Sequence, residues 1–346
     1  MDEAIFILPV DDVPLQRWLP SRPTSNIKVE WMHEALTPQS DTIASVSGTS
    51  SPWICTVADG GIFRTDDILH IDGRAENIQF LVTGVSGNDV TVSGFGATAA
   101  TDDPAAADVL TIVGQLVHEG ADPHSTRSKE RDALYNYTQI GQEKVEATRT
   151  ARKQAMYAQS DPYDHEVQKK FRELAIRFER ALVSGQRYQS GDRRSMGGLF
   201  YFISTNTQSG TAVNVKAKIQ ALVRACWTAG GSPGALWVSP AVKAAITANY
   251  DATLRRSVRD DTTAGFTVER IVTDFGDVDV YANRYFPTTK GLLLQQGLVT
   301  KRVFDGYMHE ALAKTGDGDN GEIVGEFSLQ VKNEEAQGIL TVTDAA

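Results

Sequence analysis

Cysteine is nearly absent from this 346-residue chain: Cys55 and Cys226 are the only two, and they lie far apart in sequence. Neither belongs to a CxxC pair or a Cys/His cluster, so a disulfide framework or a structural zinc site has no ligand set to build on. Both read as small buried hydrophobes. Long apolar runs are lacking too. The strongest, Leu199-Phe200-Tyr201-Phe202-Ile203, is far too short to cross a bilayer. The first residues, Met1-Asp2-Glu3, are acidic, where a secretory signal needs a basic start and an apolar stretch. The chain is therefore expected to be made in the cytosol, with no membrane partner. A basic excess is also missing: 34 Lys/Arg stand against 44 Asp/Glu, a net charge of −10. A reader of duplex DNA gains affinity by neutralising phosphates, and this balance argues against one.

Motifs for chemistry fail on inspection. Gly94-Phe95-Gly96-Ala97-Thr98-Ala99 resembles a dinucleotide fingerprint, but Pro104 interrupts the helix that would hold the pyrophosphate. His33-Glu34, His118-Glu119 and His309-Glu310 each lack the second histidine that would complete a zinc-binding helix face. The positions where it belongs hold Thr37, Asp122 and Ala313. Asp317-Gly318-Asp319-Asn320-Gly321-Glu322 resembles a calcium loop, yet Ser328 stands where its last carboxylate belongs, and a solvated turn is expected. Asn136-Tyr137-Thr138 fits the glycosylation pattern, which has no meaning in a cytosolic protein. Met32-His33-Glu34-Ala35-Leu36 recurs as Met308-His309-Glu310-Ala311-Leu312 without matching flanks, and five residues make no repeat unit. No P-loop, nucleophile elbow or nucleophile–base pair is present. The expectation is of no catalytic residue, no metal site, no cofactor and no enzymatic activity.

What is present is an ordinary globular composition, 41% hydrophobic and 23% charged, with length enough for two or three domains. Charge is uneven. Residues 1–126 hold 5 Lys/Arg and 18 Asp/Glu, residues 127–194 hold 15 and 10, and residues 195–346 hold 14 and 16. Residues 1–40 read as extended, because Pro9, Pro14, Pro20, Pro23 and Pro38 break any helix. They also carry Ile5, Phe6, Ile7, Leu15, Trp18, Leu19, Trp31 and Met32, which must be buried somewhere: on the chain's own body or on a neighbouring copy. The residues alone leave both options open. Residues 41–115 read as β, with 53–57, 78–83 and 89–93 as strands and a turn-rich connection at 84–88. Residues 127–185 read as mostly helical. The clearest helix runs from an Asp161 cap to a Gly185 stop, with Val167, Phe171, Leu174, Phe178 and Leu182 on one face. A second amphipathic helix is expected over 211–229, a buried strand at Ala235-Leu236-Trp237-Val238, and a helix after Ser239-Pro240. Strands follow on either side of Asp274, at Leu292-Leu293-Leu294 and over 326–331. Helix and strand mix without βαβ alternation, so the class is α+β.

Four stretches carry a resemblance to a known family. They are Tyr135–Ile140 with Val145–Thr148; the long helix Asp164–Ser184; Met196–Leu199 running to Ile203–Asn206; and the tail Ala313–Asp317, Gly325–Leu329 and Lys332–Ala336. In order and spacing they resemble major capsid proteins of tailed bacteriophages, in the subgroup with a β insert in the extended loop. The resemblance implies the phage capsid fold also used by herpesvirus shells. Its parts would be an N-terminal arm at about 1–40, an extended loop with β insert at about 41–119, a peripheral domain with a long spine helix at about 120–210 and 290–346, and an axial domain at about 211–289. It further implies a subunit that self-assembles as hexamers and pentamers into an icosahedral virion shell, with its arm lying across an adjacent copy. The expected partners are a separate scaffolding protein, a portal, a decoration protein, and packaged double-stranded DNA faced non-specifically. The alternatives are another virion component, such as a decoration or tail protein, and, behind it, an enzyme with an unrecognised site.

Overall fold

A computed structural model describes residues 13–34, 37–73, 78–95, 103–120, 122, 127, 131–153, 162–254, 269–314 and 316–345. The chain divides into two compact units, Glu34–Asp132 and a body made of Met1–His33 with Ala133–Ala346.

The smaller unit is a closed six-stranded barrel. Its strands are Ser40–Ser47, Trp53–Val57, Asp67–Ile71, Gln79–Ser86, Asp89–Phe95 and Val109–Gln115. Every neighbouring pair is antiparallel, and the ring closes where Ser40–Thr42 meets Val109–Thr111. Successive strand residues point to opposite faces, so alternate positions fill the interior. Trp53, Cys55 and Val57 go in, as do Leu69, Ile71, Phe80, Val82, Val90, Val92 and Leu110. The stretch 84–88, read from sequence as a connection, is mostly strand, and the turn narrows to Gly87-Asn88. Gly87 has φ +61°, which glycine adopts without a Cβ penalty. The barrel is also intolerant at Gly60, where a Cβ would sit 2.1 Å from the Gly87 carbonyl oxygen.

The body is built on two sheets. The first, of four strands, runs Ser21–Pro23, Val299–Ala311, Gly318–Val331, Gln139–Thr148 in spatial order. The long helix Pro162–Ser184 packs on it, burying Val167, Phe171, Leu174, Phe178 and Leu182. Asp161, its expected cap, lies outside the described residues. Close approach is possible because Gly141 has no side chain: a Cβ there would fall 2.5 Å from the Phe178 ring. Two sequence expectations are corrected here. Residues 132–148 are not helical; Asp132–Tyr137 and Gln139–Thr148 are strands, and helix resumes at Arg149. In Gln139–Thr148 the accessible positions alternate with more covered ones, and Val145 and Ala147 are buried. The calcium-like stretch is not a solvated turn either, since Gly318 already begins the strand Gly318–Val331.

The second sheet has six strands in the order Thr207–Gly210, Gly338–Val342, Lys290–Leu294, Ala235–Val238, Gly276–Ala282, Arg270–Thr273. Its central strands are apolar on both sides because both faces are covered. Trp237, Leu292, Leu294 and Ile339 join the core beneath the long helix. Their strand neighbours Leu236, Val238, Leu293 and Leu340 join a second core with Val215, Ile219, Leu222, Val223, Cys226, Val242 and Ile246. Those residues come from the helices Val215–Thr228 and Pro240–Leu254. Ser239 caps the latter, its hydroxyl accepting from the Val242 amide at 3.2 Å.

Candidate assembly surfaces and the clips behind them

The described front of the chain is seated on its own body. The short helix Pro14–Trp18 starts at Val13, whose side chain cannot cap it. Glu179, from the long helix, supplies the missing acceptor. Its carboxylate accepts from the Leu15 amide at 2.8 Å and the Gln16 amide at 2.9 Å, and from Asn283 Nδ2 at 2.7 Å. Gln16 donates to the Ala175 carbonyl at 2.7 Å and accepts from Tyr307 Oη at 3.0 Å. Leu15 and Leu19 are buried, and Trp18 meets Trp237 edge-on at 5.7 Å. Ser21–Pro23 then adds a parallel strand to Lys301–Val303. The expectation that this proline-broken segment buries its apolar side chains on sister copies is therefore corrected for Leu15, Trp18, Leu19 and Trp31, whereas Met32 stays 71% exposed. Ile5, Phe6 and Ile7 lie outside the described residues.

Burial raises the Glu179 carboxyl above its ordinary range, against the pull of its three hydrogen bonds and of Lys301. Burial lowers the Lys301 ammonium, which Glu179 opposes, and raises the Tyr307 phenol. The sequence did carry a signal for Glu179. It stands midway in a row of i+4 steps between Ala175 and Val183, both buried, beside the main apolar stripe.

The stretches that carry the family resemblance meet in space. Asn136 is fully buried; its amide nitrogen donates to the carbonyls of Gly197 at 3.0 Å and Leu329 at 2.7 Å, and its oxygen accepts from the Gly197 amide at 2.8 Å. A glycan could not reach it. Arg194 donates to Thr138 Oγ1 at 3.1 Å and Glu326 Oε1 at 2.7 Å, and the Thr138 hydroxyl donates to the same carboxylate. Glu334 accepts from the Ser204 amide at 3.0 Å. These clusters consume their acceptors on backbone, amide, hydroxyl and guanidinium donors, so they brace the body and do not resemble a reactive centre.

Other singled-out residues scatter. His309 Nε2 lies 2.9 Å from Tyr163 Oη, while His33 and His118 sit elsewhere in the chain order. Gly94 and Phe95 end a barrel strand, and the rest of that fingerprint lies outside the described residues. Cys55 and Cys226 are free and buried, and burial pushes their thiols up to about 11 and about 12. Among the described residues no group of three or more His, Cys, Asp or Glu comes together to hold a metal ion. No described helix is long and apolar enough to cross a membrane.

Among the described residues the body leaves apolar surface and open strand edges on display. Val213 is 83% exposed, Val272 74% and Trp227 55%. Val272 lies on Arg270–Thr273, an edge of the six-stranded sheet, and Gln139–Thr148 is an edge of the four-stranded one. Trp227 leans on Phe275 at 5.5 Å beside a cleft of about 400 Å³, lined by Ala217, Ala221, Arg224 and Asp274 among others.

This architecture is that of phage capsid proteins. The capsid of a native GTA particle aligns over 96% of this chain and 90% of that one, with TM-score 0.54 and 9% identity. Structures from Mycobacterium phage Bobi (96% and 90%, TM-score 0.53, 10% identity) and Mycobacterium phage Adephagia (95% and 90%, TM-score 0.51, 11% identity) share it. No curated protein matches the chain. The class is thus the α+β fold of phage capsid proteins. The chain belongs to the SU10 major capsid protein family, whose model matches residues 1–344. Its role is structural: copies self-assemble into the capsid shell of a virion.

Proposed function

We propose that copies of this chain close as hexamers and pentamers into an icosahedral shell around double-stranded phage DNA, and that the chain performs no chemistry of its own. It has no catalytic residue, cofactor or metal in this reading. The observation that carries it is a body whose cores are filled on both sheet faces, yet which leaves Val213, Trp227 and Val272 mostly in water. Exposed apolar side chains together with open strand edges are surface that a partner can cover. In a shell the partner is another copy, and many weak contacts suffice because each copy touches several neighbours.

The parts take family roles in this reading. The arm is 1–40, with 13–33 seated at home; the extended loop with its insert is 41–119; the peripheral domain is 120–210 and 290–346; the axial domain is 211–289. The remaining partners are a separate scaffolding protein, a portal, a decoration protein, and DNA faced non-specifically. Synthesis takes place in the host cytoplasm. Co-expression with a cognate scaffold, followed by sedimentation and electron microscopy, tests the reading. Closed shells are expected; a stable monomer under every assembly condition would refute it.

A further inference from the structure

Three arginines stand around the clip at Glu179. The carboxylate binds the backbone amides of Leu15 and Gln16 and the side-chain amide of Asn283. Arg17 follows Gln16, Arg180 follows Glu179 itself and Arg284 follows Asn283, so the clip brings the three backbone positions together. All three residues are exposed. Among the described residues none of the three has a carboxylate partner. The Arg180 guanidinium lies 5.3 Å from the centre of the Tyr285 ring, which holds it in place without neutralising it. Other cations of the same helix are spent: Lys169 pairs with Glu166, Lys170 with Glu173 and Arg177 with Glu143.

The flanking sequence is basic as well. Residues 13–23 and 283–290 hold Arg17, Arg22, Arg284 and Lys290 and no acid, in a chain whose net charge is −10. Asp11 and Asp12, just upstream, lie outside the described residues. Among the described residues of 13–23, 162–184 and 283–290, no large apolar side chain is exposed. A protein partner would find little there to bury. A polyphosphate needs only charge and N–H donors, and the planar guanidinium fork matches a phosphate with two parallel hydrogen bonds.

We propose that Arg17, Arg180 and Arg284 form a phosphate-contact patch through which each copy holds the backbone of the packaged double-stranded DNA. This rests on the reading of a shell around DNA. Phosphate contacts carry no sequence information, which suits a wall that meets whatever stretch of DNA lies against it. Each contact releases condensed counterions, and repetition over many copies gives a firm hold although no single patch is strong. The patch also fits a chain that is acidic as a whole, because binding draws on local charge and not on the net balance.

The test is arginine footprinting of wild-type particles with phenylglyoxal, a reagent small enough to diffuse into a shell, read residue by residue by mass spectrometry. DNA-filled particles are compared with the same particles emptied of DNA. Arg193, exposed on a hairpin of the same body and also without a carboxylate partner, is the internal reference. Relative to it, Arg17, Arg180 and Arg284 should react several-fold more slowly in filled particles. Equal relative rates in filled and emptied particles would overturn the proposal, whether fast, with the patch free in both, or slow, with another copy covering it. Protection in scaffold-containing, DNA-free particles with none in filled ones would give the patch to an acidic protein segment and overturn it too. Filled shells without the footprint strike this inference alone. Failure of the wild type to form any shell with scaffold present would instead strike the shell reading, and this inference with it.

Discussion

Glu179 shows how one side chain can fix a segment far away in sequence. Proline at the first helical position and valine before it leave the amides of Leu15 and Gln16 without a local acceptor, and the long helix provides one. Glu179→Ala removes that acceptor and strands buried donors, so it should destabilise the body by ~3 kcal/mol, given about 1–3 for each buried group left unpaired. Denaturant unfolding measures it. The pH dependence has a defined sign. A carboxyl whose folded-state pKa is raised favours the native state most when protonated, so its contribution is full below the ordinary carboxyl range and is lost as pH rises through the raised value. Glu179→Gln cannot titrate and should flatten that part of the stability–pH curve. An unchanged slope would show that another group sets it. The sequence marks the site only faintly, because one Glu in a row with Ala175 and Val183 looks like any charged helix position until Pro14–Trp18 is laid across it.

Elements differ in how plainly the sequence declares them. The helix Pro162–Ser184 was legible because its apolar side chains recur at helical spacing and face a single core. The barrel strands were legible for the parallel reason, with alternate residues sent inward. Gln139–Thr148 and Val299–Ala311 were not. Each mixes polar, charged and glycine positions and is half open to solvent, and the second shifts register between Val303 and Asp305 and again before Met308. Their strand character comes from pairing with Gly318–Val331, which no local pattern reports. Two predictions belong here. Gly141→Ala drives a methyl into the Phe178 ring and should cost about 1–3 kcal/mol, as overpacking does. Deleting residues 1–23 removes the helix over Glu179 and the strand beside Lys301–Val303. The truncated chain should unfold at lower temperature and be nicked faster in limited proteolysis. A truncation that melts with the full chain would mean this packing contributes nothing.

For the whole molecule, the family could be read from four separated stretches because they converge: Asn136, Gly197 and Leu329 share one buried amide. What could not be read was where the leading segment goes. Apolar residues on a proline-broken chain demand burial but do not say on which copy. Leu15, Leu19 and Trp31 are buried at home, so under the proposed function contacts between copies fall to the surface that remains, with Val213, Trp227 and Val272 available there. Val272→Asp should leave the melting of the isolated subunit nearly unchanged, since its side chain lies largely in water, while Trp227→Asp should lower it modestly by losing the contact with Phe275. The same variants should sharply reduce the yield of closed particles. The measurement that bears most directly on this account is assembly by the wild type and Val272→Asp side by side, with scaffold present, sized by sedimentation and imaged by electron microscopy. The account predicts closed shells of the wild type and soluble, folded, unassembled Val272→Asp. Wild-type protein that stays a monomer throughout would contradict it.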